Sequence, residues 1–271
     1  MRLSISHTTH YAFSQPVAHG LQRLRLKPKP THGQRVLDWQ VHLDGVRPEV
    51  EYDDHHFNHT LLVSVEPGIS AVTVTCRGLV ETVDNSGVVG AHTGHMPLWA
   101  FLNQMPLTRP GARIKAMVAA LRTDRSRPLD LLHELSCAVL DSVSYEIGHT
   151  DAATPAEDAM AAGRGVCQDH AHIFIGGARQ LGVPARYVSG YLMMNDRIDQ
   201  EAGHAWAEAH VEGLGWVGFD VSNGICPDAR YVRVATGRDY AEAAPVTGIS
   251  WGPGESVLSV SLAVEQQLAE Q

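Results

Sequence analysis

One of the chain's four cysteines, Cys167, stands where a thiol could act as a nucleophile. It follows Gly163, Arg164, Gly165 and Val166 and opens a stretch whose apolar spacing predicts a helix over residues 166–181, stopped by Gly182 and Pro184. The first N–H groups of a helix have no intrahelical partner and carry partial positive charge. A sulfur placed there is favoured as the thiolate, and the same N–H groups can receive an oxyanion forming on an attacked carbonyl. A cysteine nucleophile also needs a base, and the base needs a third group to fix its tautomer. Residues 203–220, GHAWAEAHVEGLGWVGFD, contain both. A hairpin loop at 212–214 would set Val211 opposite Gly215 and Trp206 opposite Asp220, leaving Asp220 diagonal to His204 and within reach of an imidazole–carboxylate contact. The expected roles are Cys167 as nucleophile, His204 as base and Asp220 as the acid that orients it.

Three more side chains are candidates for substrate binding or for the oxyanion. The amide of Gln168, beside the sulfur, either donates to an oxyanion or solvates the helix terminus. Trp206 and Tyr191, on strands, either wall a pocket or pack within the sheet. A rival chemistry is metal binding. Cys167, Asp169, His170 and His172 form one tight run, and His55, His56 and His59 another, with ligand types suited to zinc or iron. On a helix, however, Cys167 and His170 share a face while Asp169 and His172 point elsewhere, so the run does not converge on one ion. No metal ligands and no cofactor are therefore expected. A metal-binding protein, or a catalytically silent binding or structural module on the same fold, are the alternatives.

The elements that must position these residues fall into two groups. Up to about Leu98, short alternating runs (Leu3, Ile5; Val36 to Leu43; Leu61 to Val65; Val72, Val74, Cys76) predict antiparallel strands. After Gly111 the period changes. Ile114, Met117, Val118 and Leu121 form one helical stripe, and Leu132, Leu135, Val139 and Val143 form a second that Pro128 is suited to open. Strand patterns return at 185–193, 204–211 and 216–220, and once more from Val257 to Val264. The order implies an α+β protein. Its expected divisions are a β-rich N-terminal domain at 1–105, a catalytic core at 106–250, and a terminal strand within 251–271 that could rejoin the N-terminal sheet.

Length and composition fit a folded enzyme: 271 residues, 44% hydrophobic and 19% charged. A net charge of -9 with no basic cluster argues against a nucleic-acid partner. The opening residues lack the apolar core of a signal peptide, and no run is long enough to span a membrane, so a cytoplasmic protein is expected. The cysteines form no CxxC pair, which suits neither a zinc ribbon nor a disulfide framework.

Four segments, GRGVCQDHAH, GVPARYVSGY, GHAWAEAHVEGLGWVGFD and GRDYAEAAPVTG, resemble the successive signatures of bacterial transglutaminase-like proteins. Members of that family are often described provisionally as cysteine proteases. The likeness covers most of residues 110–250, and the opening ISHTTHYAFSQPV is similar to the start of the family's N-terminal domain. The resemblance implies a β-sandwich-like domain before a papain-like core in which helices pack on an antiparallel sheet. It also implies a Cys-His-Asp triad at Cys167, His204 and Asp220, acting on a peptide or protein substrate through an acyl-thioester. Nothing in the sequence points to a channel that would exclude water, which favours hydrolysis over transamidation. Two positions depart from the family pattern: His170 replaces a common aromatic residue, and Val221-Ser222-Asn223 replaces Pro-Thr-Asn. They bear on the pocket beside the nucleophile and on the turn after the acid.

Overall fold

Alternation of apolar and polar residues builds the first half from strands β1 (Arg2–Phe13), β2 (His19–Leu24), β3 (Gln34–Asp44), β4 (Val46–Asp53), β5 (His59–Val65), β6 (Ala71–Thr82) and β7 (Val88–Gly90) in this computed structural model, which describes residues 1–251 and 255–267. In β1 every second residue from Leu3 to Thr9 is buried, the period a sheet requires. The helical region follows with α1 (Ala112–Ala119), α2 (Pro128–Ser142), β8 (Ser144–Tyr145), α3 (Ala156–Ala162), β9 (Arg164–Gly165) and α4 (Cys167–Gln180). The remainder is β10 (Ala185–Leu192), β11 (Asp199–Gln200), β12 (His204–Val211), β13 (Gly215–Phe219), β14 (Tyr231–Gly237), α5 (Tyr240–Ala243), β15 (Val246–Trp251) and β16 (Ser256–Gln266). The protein is α+β.

Two sheets, ordered β11-β16-β1-β6-β3 and β15-β2-β5-β4, enclose a sandwich core that includes Leu24, Val63, Val65, Val72 and Val74. A third sheet, β14-β10-β12-β13-β7, carries the helices. Phe174 of α4, Leu132 and Leu135 of α2, Ile114 of α1 and Phe219 of β13 meet in its core. Helix α4 is buried along nearly its whole length, and Gly176 explains how closely it sits: a Cβ there would lie 2.2 Å from the Thr108 carbonyl oxygen. The helix accepts the low propensity of glycine, about 1 kcal/mol, in return for that approach.

Sandwich and core are not cut apart at one point. Strand β7 comes from the N-terminal segment yet closes the edge of the core sheet, whereas β15 pairs with β2 and β16 pairs with β1 from Leu3↔Gln266 to Phe13↔Ser256. A shared apolar seam of Leu3, Ile5, Val80, Tyr191, Val232, Val234, Leu262 and Val264 joins the two. The expected boundaries at 105 and 250 therefore place β7 and β15 with the wrong sheets. Residues 252–254 and 268–271, inside the expected terminal segment, lie outside the described residues.

Candidate active site

Cys167 is the first residue of α4 and is half-buried. The chain is fixed at its entry into that helix by Asp169, whose carboxylate accepts the Val166 N–H at 2.7 Å and the Thr150 hydroxyl at 2.7 Å. Since valine has no side-chain acceptor, this is half of a capping box. A Cβ on Gly165 would lie 2.6 Å from Asp169 Oδ2, which is why the lead-in needs glycine there. His170 ties α4 to the loop beyond β13. Its Nε2–H donates to the Val143 carbonyl at 2.9 Å, so its Nδ1 accepts from the Ser222 hydroxyl at 2.8 Å. The two departures from the family pattern thus bond to each other.

His204 opens β12, and Asp220 follows β13 directly. The β12–β13 register places Val211 opposite Gly215 and Ala207 opposite Phe219, as the expected hairpin loop requires. His204 Nε2 lies 2.6 Å from Asp220 Oδ2, and Nδ1 remains as the ring nitrogen available to Cys167. Burial opposes a charge on His204, but hydrogen bonds to Asp220 and Cys167, together with their charges, push its pKa up to about 10. Burial alone would raise the Asp220 carboxyl. Its bonds to His204, Asn223 and Tyr231 and the His204 charge hold it below the usual range. Asn223 Nδ2 and the Tyr231 hydroxyl each donate to Oδ2 at 2.7 Å.

The other candidates are placed differently. Tyr191 is buried, its hydroxyl 2.9 Å from His7 Nδ1, and its ring lines a cavity that also reaches Cys167. Gln168 lines the same cavity, but its amide donates to the Ala152 carbonyl at 3.2 Å. Trp206 packs within the sheet. It is buried with Val188, Leu192 and Tyr231, and its ring stacks on that of His204 with centroids 6.2 Å apart, so it supports the imidazole from within the sheet. The Cys167–His172 run does not converge: Asp169 caps the helix, His170 bridges to Ser222, and His172 Nε2 accepts the Tyr240 N–H at 3.1 Å. Among the described residues, ligand atoms of His55, His56 and Glu242 do lie within 4.8 Å of one another. The Glu242 carboxylate there is already taken up by Arg238 and His56.

Tyr231, Asn223 and Thr150 are site residues that the sequence reading missed. Asn223, three residues after Asp220, carries a turn signal that could have been used. Tyr231 and Thr150 reach the site only through tertiary packing. Two cavities meet at Ala202, Gly203 and His204: a groove of about 930 Å³ that carries charged side chains and a less polar pocket of about 290 Å³.

Residues 115–221 match the Transglutaminase-like superfamily, and residues 3–81 match the Bacterial transglutaminase-like N-terminal region. The chain belongs to the transglutaminase-like superfamily. Relatives along nearly the whole length include an uncharacterized protein of Mycobacterium leprae, 29% identical over 96% of both chains. Another, from Mycobacterium tuberculosis, is 28% identical over 97% of this chain and 92% of its own. A crystal structure from Cytophaga hutchinsonii, described provisionally as a cysteine protease, superposes with a TM-score of 0.76 at 22% identity, covering 100% of this chain and 92% of that one. At that identity the likeness establishes the shared fold.

Proposed function

We propose that the protein is a cysteine hydrolase that cleaves a peptide or carboxamide bond of a peptide or protein through an acyl-thioester on Cys167. The observation that carries this reading is the His204 ring, bonded through Nε2 to the buried Asp220 and raised in pKa by Asp220 and by Cys167, the first residue of helix α4. The thiolate attacks the carbonyl carbon, forming a C–S bond, and helix-terminal N–H groups, that of Cys167 among them, face the oxyanion. His204 gives its proton to the leaving nitrogen as the C–N bond breaks. Water then attacks the thioester carbonyl as His204 takes its proton, the C–S bond breaks, and the carboxylic acid leaves with the Cys167 thiolate and protonated His204 restored. Asp220 keeps the imidazole oriented throughout.

Hydrolysis is favoured over transamidation because the groove beside His204 is wide and lined by Asp196, Arg197, Asp199 and Glu201, a surface that admits water. The mechanism calls on no metal or organic cofactor. A cytoplasmic setting is part of the proposal, in keeping with four free thiols. The test is a screen of peptide amides with and without an added primary amine, run on the wild type and on Cys167→Ala. Acid release that Cys167→Ala abolishes supports hydrolysis, while amine incorporation in place of acid assigns transamidation. Equal turnover by Cys167→Ala contradicts the mechanism.

A further inference from the structure

We propose that the 290 Å³ pocket beside Cys167 receives the side chain of the residue whose carbonyl is attacked, and that it selects an uncharged aliphatic or aromatic group. The inference rests on Cys167 being the nucleophile and names the substrate class for that site. One wall comes from the core, with Tyr187 and Tyr240, and the other from the sandwich, with Tyr11, Leu258 and Val260. On the β1–β16 ribbon Tyr11 stands opposite Leu258 and Thr9 opposite Val260, so these four side chains share the face turned to the pocket. Leu258 is 53% exposed despite being apolar, a surface left uncovered among the described residues.

The chemistry of the lining sets the selection. Among the described residues it includes no Asp, Glu, Lys or Arg, and its charges are those of the reacting pair, His204 and the Cys167 sulfur. Several of the polar groups present are already engaged, and the tyrosine hydroxyls of Tyr11, Tyr187 and Tyr240 carry no charge to pair with an ion. His7 is held by the Tyr191 hydroxyl at 2.9 Å and the Thr9 hydroxyl at 3.2 Å, and the Ser189 hydroxyl donates to the Ala243 carbonyl at 2.7 Å. Burial keeps His7 neutral, with its pKa pushed down to about 4. A charged side chain entering here would give up its hydration without gaining an ionic partner outside the catalytic pair, whereas an apolar one leaves water for a wall of rings and methyl groups. The opposite holds in the groove across His204, where Asp196, Arg197, Glu201 and Arg230 stand.

The experiment needs no known substrate. Inactivation of Cys167 is followed with the chloromethyl ketones of N-acetylated Leu, Phe, Asp and Lys, each rate being divided by the iodoacetamide rate of the same protein. The Leu and Phe reagents should react at least tenfold faster than the Asp and Lys reagents. In Leu258→Glu the order should shift toward Lys by a similar factor. Equal rates for all four reagents at a Cys167 that iodoacetamide labels rapidly would overturn the pocket assignment alone. A Cys167 that iodoacetamide labels no faster than Cys137 would overturn the nucleophile, and the assignment would fall with it.

Discussion

Asp220 shows what one side chain contributes to the site. Its carboxylate takes hydrogen bonds from His204, Tyr231 and Asn223 and is itself buried, so an amide in its place would present a donor where acceptors are needed. Asp220→Asn should keep the fold but lower kcat by about 10³-fold through the wrong His204 tautomer, while Tyr231→Phe, which removes one of several donors, should cost far less; steady-state kinetics with circular dichroism checks both. The pairing of His204 with Asp220 was legible because a three-residue hairpin fixes register locally, and the position of Cys167 because glycines announce a helix start. The contacts of Tyr231 and of Thr150 with Asp169 were not legible, since each joins segments whose spacing carries no periodic signal.

At the level of the strands, the core sheet is held by a charge network that no local pattern announces. Glu208 on β12 is fully buried between Arg186 on β10, 2.6 Å from its Nε, and Arg233 on β14, 2.7 Å from its Nε. Arg186 in turn lies over the Trp216 ring at 3.8 Å. Burial would raise the Glu208 carboxyl, but the two guanidinium groups hold it below the usual carboxylate range. Glu208→Ala leaves two buried cations without their shared partner and should destabilise the protein by about 3–5 kcal/mol in urea denaturation. Conservative replacement of an exposed acid such as Glu212 should change little. Strand β4, VRPEVEYD, was missed because its residues beyond Val46 are exposed and give no alternation, and α3 because seven residues are too few for a helical stripe. By contrast, α1, α2 and α4 bury one stripe or more and were readable.

Across the whole molecule, the sandwich and the core are locked by the seam around Tyr191 and by the exchanged strands β7 and β15. The sequence showed both halves but not this exchange, because strand partners in different sheets are chosen by tertiary packing and not by local period. Buried neutral histidines make the assembly sensitive to acid. Burial lowers the pKa of His7 to about 4 and of His172 to about 3, while both protonate near 6.5 in an unfolded chain. The unfolded state therefore binds more protons below that value, and stability should fall as pH drops from about 6.5 toward 4. Thermal melts across this range should show a falling Tm, and His7→Gln should flatten part of the slope; a Tm independent of pH there would contradict the neutral assignment.

The central claim is that His204 activates Cys167, and alkylation by iodoacetamide as a function of pH, read by peptide mass spectrometry, tests it without any substrate. In the wild type, Cys167 should react many times faster than the exposed Cys137, and most clearly so at pH 6. His204→Ala should remove that lead. If Cys167 reacts no faster than Cys137 at every pH in both proteins, the pair is not activated and the chain is a catalytically silent member of its family.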